Sequence, residues 1–138
     1  THDFPYPPYS SKTIDGKPLW LLARENKITE ADLPRREMGV KAAVEIQVQE
    51  EEWQNIFSKI YSSINLVVGD FRQQEILTQW AKISESIKPS QQLQILSVKF
   101  TVSSGTYIRT LAHELGKVLG TQALLLHLKR ISIGDYKI

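Results

Sequence analysis

Two hydrophobic periods alternate along the chain. From Val40 to Val48 apolar side chains recur at every second position: Val40, Ala42, Val44, Ile46 and Val48. Lys41, Glu45, Gln47 and Gln49 hold most of the other side. This alternation predicts a half-buried strand. A second strand is predicted from about Leu93 to Val102, with Leu96, Val98, Phe100 and Val102 alternating. Between the two the period lengthens to that of a helix. Trp53, Ile56, Phe57, Ile60, Tyr61 and Ile64 form one stripe. After a break at Val67-Val68-Gly69-Asp70, the residues Ile76, Leu77, Trp80, Ala81 and Ile87 form another. The pattern predicts a helical hairpin inserted between two strands over residues 50–90, closed by Pro89, with Glu50, Glu51 and Glu52 as its acidic helix start.

The flanks carry weaker signals. The opening Phe4-Pro5-Tyr6-Pro7-Pro8-Tyr9 is extended, because proline lacks an N–H and restricts the residue before it. Asp15-Gly16 marks a turn. Leu19, Trp20, Leu22 and Ala23 give a short helix to about Asn26, and residues 27–37 form a polar connecting loop. In the last third, Ile108, Leu111, Ala112, Leu115, Val118 and Leu119 line a helix that Gly120 stops. Ala123–Leu128 is a shorter apolar segment, followed by Lys129-Arg130 and a strand Ile131–Tyr136 with a turn at Gly134. The fold class is α+β, with an antiparallel or mixed sheet and flanking helices.

Composition narrows the function classes. The 138 residues contain no cysteine, which excludes disulfides and thiolate metal sites and suits a reducing, cytoplasmic setting. No apolar run is long enough to span a membrane. The net charge of +2 is unevenly spread: residues 1–49 sum to 0, residues 50–98 to −2 and residues 99–138 to +4. A polyanion would meet the last third. His2, His113 and His127 lack metal-ligand spacing, so no metal is expected. No serine stands in a nucleophile elbow, and no glycine-rich phosphate loop occurs.

The sharpest local feature is Ser103-Ser104-Gly105-Thr106-Tyr107-Ile108-Arg109-Thr110, where a strand gives way to a helix. Ser104 or Thr106 is the candidate cap, and Gly105 permits a tight bend or a close ligand approach. Arg109 falls in the first helical turn, against the helix dipole. A carboxylate or phosphate partner would give it a purpose; a solvated arginine is the alternative. Tyr6 and Tyr9, set among prolines, offer rigid faces for stacking bases or pack the arm on its own core.

The segment Ser103–Ala112, followed by Leu115-Gly116 and Leu119-Gly120, resembles the signature of the bacterial tRNA pseudouridine synthase B (TruB) family. Leu128-Lys129-Arg130 stands where that family has Leu-Arg-Arg. Tyr9-Ser10-Ser11, Gly16, Leu19-Trp20 and Ala23-Arg24 resemble its other motif. The resemblance covers about residues 4–48 and 93–136 and implies part of a pseudouridine-synthase catalytic domain, acting on the tRNA T stem-loop without a cofactor. Tyr9 matches the tyrosine that stacks on the flipped uracil and is a candidate for proton abstraction. Arg109 matches the arginine paired with the catalytic aspartate. Tyr107 and Leu128 match pocket-lining residues. Lys129 and Arg130 match the RNA-facing rim, and Ser104 and Gly105 belong to the same signature. A base-modifying enzyme must extrude its base and hold it by stacking, which suits Tyr9 and Leu128.

Three departures stand out: Thr13 replaces a family lysine, Gln122-Ala123-Leu124 replaces Gly-Ala-His, and His113-Glu114 replaces an acidic pair. The family's nucleophile is an aspartate in a Gly-x-x-Asp-x-x-Ala-x-Gly segment, and no aspartate here has that setting. The expectation is the C-terminal portion of the catalytic domain over residues 1–138. It would be inactive alone, with the nucleophile-bearing N-terminal half as partner. The alternative is a non-catalytic RNA-binding module or adaptor.

Overall fold

A computed structural model describes residues 2–138, with the side chains of His2 and Glu30 left aside. Extended backbone at the proline-rich opening lets β1 (His2–Pro5) pair antiparallel with β4 (Arg35–Met38), placing Phe4 opposite Arg36 and Pro5 opposite Arg35. The second partner lies inside residues 27–37, which the sequence gives as loop. Arg35-Arg36-Glu37 carries no apolar alternation to announce a strand, and only Met38 is buried. A 3-10 turn at Glu30–Asp32 precedes it. Between them β2 (Thr13–Ile14) and β3 (Lys17–Pro18) form a hairpin on Asp15-Gly16, both with positive φ (50° and 77°), the geometry that two-residue hairpin turns favour. Helix α1 (Leu19–Arg24) follows at once. Its first N–H groups go to the Lys12 and Ser10 carbonyls (2.7 and 3.2 Å), which ties the helix start to the segment that leads into the hairpin.

The chain divides into two compact units, Thr1–Ala42 with Phe100–Ile138, and Ala43–Lys99. Strands β5 (Val40–Glu52) and β6 (Gln92–Val102) pair with each other. Glu50 and Glu51 therefore continue the strand, and Glu52 ends it as the cap residue of the helix that begins at Trp53, without a side-chain cap bond. Nor is the β5 face half-buried. Val40, Val44, Ile46 and Val48 are all exposed, because the ribbon has two strands only and Glu45 sits at φ +54°, interrupting the alternation midway.

In the second unit helices α2 (Trp53–Asn65) and α3 (Gln73–Glu85) form the hairpin. Trp53, Ile56 and Ile60 make its buried cluster, with Phe57, Ile64, Trp80 and Leu93 against it. Tyr61 and Ala81 face outward, at the edges of their stripes. Trp53 N–H donates to the Gln91 carbonyl (2.8 Å) and Gln54 N–H to the Pro89 carbonyl (3.0 Å), so the segment leaves where it entered.

Back in the first unit, α4 (Ile108–Val118) ends with Gly120 at φ +71°. Gly120 N–H bonds to the Lys117 carbonyl (3.1 Å) and Thr121 N–H to the Gly116 carbonyl (2.9 Å), a Schellman stop. The chain then doubles back: a Cβ on Gly116 would lie 2.5 Å from the Ala123 nitrogen. Val118 and Leu119 are exposed, and Ala123–Leu128 holds no regular element. The expected strand Ile131–Tyr136 is a small hairpin, β7 (Ser132–Ile133) with β8 (Tyr136–Lys137). The α+β class stands, as four separate two-stranded sheets among the described residues rather than one larger sheet. No helix among the described residues is long and apolar enough to cross a membrane.

Candidate nucleic-acid interface

The core of the first unit is small: Tyr6, the fully buried Leu19 and Leu33, with Ile14, Ile28 and Tyr107 packed against them. The aromatic arm thus splits its roles. Tyr6, 8% exposed, is a core residue, and Tyr9, 47% exposed, lies at the surface. Tyr107 meets Tyr6 edge-on, with ring centroids 5.4 Å apart at 70°. This anchors the start of α4 on the proline-rich arm.

The turn before α4 is built from backbone and hydroxyls. Ser103 N–H donates to the Gly39 carbonyl (2.8 Å), and Gly39 N–H donates to Ser103 Oγ (2.9 Å). Ser103 Oγ also lies 3.0 Å from Thr106 Oγ1. Neither Ser104 nor Thr106 caps the helix. The cap position is Tyr107, without a side-chain bond, and the Thr106 hydroxyl, one residue earlier, meets that of Ser103. Gly105 takes φ +78°, open to glycine and strained for other residues.

Arg109 occupies the first turn of α4, and its Nη2 donates to the Tyr9 carbonyl at 3.4 Å. The two residues expected to carry chemistry are therefore neighbours although 100 positions apart. Thr110, buried, reaches the Pro5 carbonyl at 3.4 Å and adds a second tie between helix and arm. Ser10, beside Tyr9, is buried, and its hydroxyl has no hydrogen-bond partner among the described residues. Leu128, Lys129 and Arg130 are exposed and make no hydrogen bond, ion pair or ring contact among the described residues.

Arg36, which the sequence gives as loop, also belongs here. Its Nη1 donates to the Tyr6 hydroxyl (3.5 Å) and its Nη2 to the Ser104 carbonyl (3.3 Å). Lys12 Nζ stands 5.5 Å from the centre of the Tyr6 ring, a cation–π distance. Among the described residues no carboxylate pairs with Lys12, Arg36 or Arg109. No group of three or more acidic or histidine side chains gathers to hold a metal among the described residues, and the side chain of His2 lies outside them. Lys12 and Arg36 thus stand at Tyr6 and Arg109 at Tyr9, with no carboxylate paired to them among the described residues, which suits a polyanion that carries bases.

Comparison with known proteins finds partial matches. Over 37 residues the chain is 54% identical to "tRNA pseudouridine synthase B" of Chlorobaculum tepidum, a match covering 27% of this chain and 15% of that protein. The chain is similar to tRNA pseudouridine synthase B. The protein of the same name from Tropheryma whipplei is 54% identical over 39 residues, 28% of this chain and 10% of its own length. That of Arthrobacter sp. is 45% identical over 53 residues, 37% of this chain and 17% of its own. The matches thus span under a fifth of the length of these pseudouridine synthases. No family model matches the chain. No solved structure matches it.

Proposed function

We propose that this chain supplies part of the uracil pocket and the RNA-binding face of a cytoplasmic tRNA pseudouridine synthase that isomerises a uridine in the T stem-loop. In this reading Tyr9 stacks on the extruded uracil, and Tyr107 and Leu128 complete its apolar surroundings. Arg109 orients and keeps ionised the nucleophilic carboxylate, as a guanidinium fork does for a paired acid. Lys129 and Arg130 lie along the backbone of the RNA, with Ser104 and Gly105 forming the rim at the start of α4.

The observation that carries this reading is the contact between Arg109 and the Tyr9 backbone, which brings both expected catalytic residues to one place. The nucleophile itself comes from an N-terminal half outside these residues. Asp3 is held by Arg35 (2.8 Å) and Asp32 by the Thr29 hydroxyl (2.6 Å). Asp15 and Asp135 sit in hairpin turns, and Asp70 lies in the helical unit. No aspartate among them pairs with Arg109.

Tritium release from tRNA carrying 5-labelled uridine tests the proposal. No release is expected from the chain alone, and release is expected once the nucleophile-bearing half of a pseudouridine synthase is supplied. Release by the chain alone would refute the missing nucleophile. Tight association with the added half and no release would favour an RNA-binding adaptor.

A further inference from the structure

Arg35 and Arg36 are consecutive on β4 yet meet opposite fates. Arg35 is spent on Asp3, with Nε on the carboxylate at 2.8 Å and Nη2 on the carbonyl at 2.6 Å. Arg36 faces Phe4 across the ladder, has no carboxylate partner among the described residues, and makes only long bonds of 3.3 and 3.5 Å to neutral oxygens. A guanidinium has five N–H donors in a planar fork, so most of its donor capacity is unused.

It nevertheless lies against backbone. One face lies on Gly105 so closely that a Cβ there would be 2.4 Å from Cζ and Nη1 and 2.6 Å from Nη2. Gly105 therefore does two things: it accepts φ +78°, and it leaves bare backbone for the guanidinium to rest on. The result is a charged fork laid on the Gly105 backbone and bonded to the Tyr6 hydroxyl and the Ser104 carbonyl, on the same ring that Lys12 approaches. Ordering a long side chain in advance lowers what binding must later spend on it. A tetrahedral anion with several acceptor oxygens matches the open donors.

We infer that Arg36 is a phosphate-binding residue for an RNA strand, seated by Gly105 and flanked by Lys12. This rests on the RNA-binding reading above and adds to it a residue that neither the motif nor the comparisons single out.

The test is binding of a fluorescent T stem-loop hairpin to the full chain across a series of salt concentrations. Each phosphate contact contributes roughly 0.7–0.9 to the slope of log K against log[salt]. Arg36→Gln is expected to weaken binding roughly tenfold at low salt and to lower the slope by about that one contact. Arg36→Lys keeps the charge and loses the fork, so it should bind more weakly than the parent with the slope retained. Arg35→Gln, which breaks only the Asp3 pair, should leave the slope unchanged. Unchanged affinity and slope in Arg36→Gln, with parental binding intact, would overturn the Arg36 assignment and leave the RNA reading standing. Absence of salt-dependent hairpin binding by the parent chain would overturn both. Should Arg36→Gln fail to fold by circular dichroism, Arg36→Lys decides, and parental affinity there overturns the assignment.

Discussion

The helical core of one unit and the tyrosine cluster of the other differ in the charges set around them, although both units carry surface ion pairs. In the helical unit Lys59 is paired with Glu51, Arg72 with Glu75 and Lys99 with Glu45, and the interior is aromatic, with Trp53 centred 5.7 Å from Phe57 and 6.2 Å from Trp80. Along the arm that carries Tyr6 and Tyr9, Lys12, Arg36 and Arg109 rest on a ring and on carbonyl oxygens. Exposed ion pairs add little stability, so pairing in the helical unit is mainly neutralisation of its own surface. Positive charge left without a counter-charge beside aromatic rings has no such internal use. The difference sets an aromatic core packed on itself against an aromatic cluster with cations beside it that no carboxylate neutralises.

The strongest way to break this comparison is to empty the helical core. Trp53→Ala removes a buried ring and its 2.8 Å bond to Ser84 Oγ, at a cost of about 3–5 kcal/mol. Hydrogen exchange over α2 and α3 should accelerate sharply, with RNA binding kept within about twofold; loss of both together would show that the site depends on the hairpin. A smaller effect comes from Gly105→Ala, where left-handed backbone costs an ordinary residue about 1–2 kcal/mol and the new methyl displaces Arg36. Gly120→Ala is the control, since it carries φ +71° in open space. Thermal midpoints and hairpin affinity should fall further for Gly105→Ala than for Gly120→Ala; equal losses would mean that the Arg36 contact counts for nothing.

The smallest effect is acidic. The hydrogen bond from Lys59, then that from Asn55, hold the Glu51 carboxyl below the usual carboxylate range. A lowered folded pKa stabilises above the unfolded value and loses that contribution as pH falls through the folded one. Protection at the start of α2 should therefore weaken below about pH 4, and Glu51→Gln should flatten that limb. An unchanged acid limb in the variant would assign it to other carboxylates.

Long periodic stretches made the helical hairpin and the β5–β6 strands legible, as did the glycine that stops α4. What stayed hidden was settled by pairing at a distance. β4 is a strand because β1 lies beside it, and no alternation in Arg35-Arg36-Glu37 announces that. The exposure of Val44 and Ile46 follows from the kink at Glu45 and from a ribbon with two strands only. At the site the family motif brought Tyr9, Tyr107 and Arg109 into view. Arg36 escaped because its role depends on lying over Gly105, 69 positions later, and a charged doublet in a polar stretch gives no sign of that.

The bonds that join the start and end of the helical segment, Trp53 to Gln91 and Gln54 to Pro89, bear on chain architecture as well. Once the mouth of an excursion is fastened, its length matters little, and each doubling adds only about 0.6 kcal/mol of closure entropy. The tip of the β5–β6 ribbon is then a socket, able to carry a shorter turn, a longer module or a grafted tag. Relatives that differ in size should differ there, and a tag placed there should leave the Gly105 turn undisturbed.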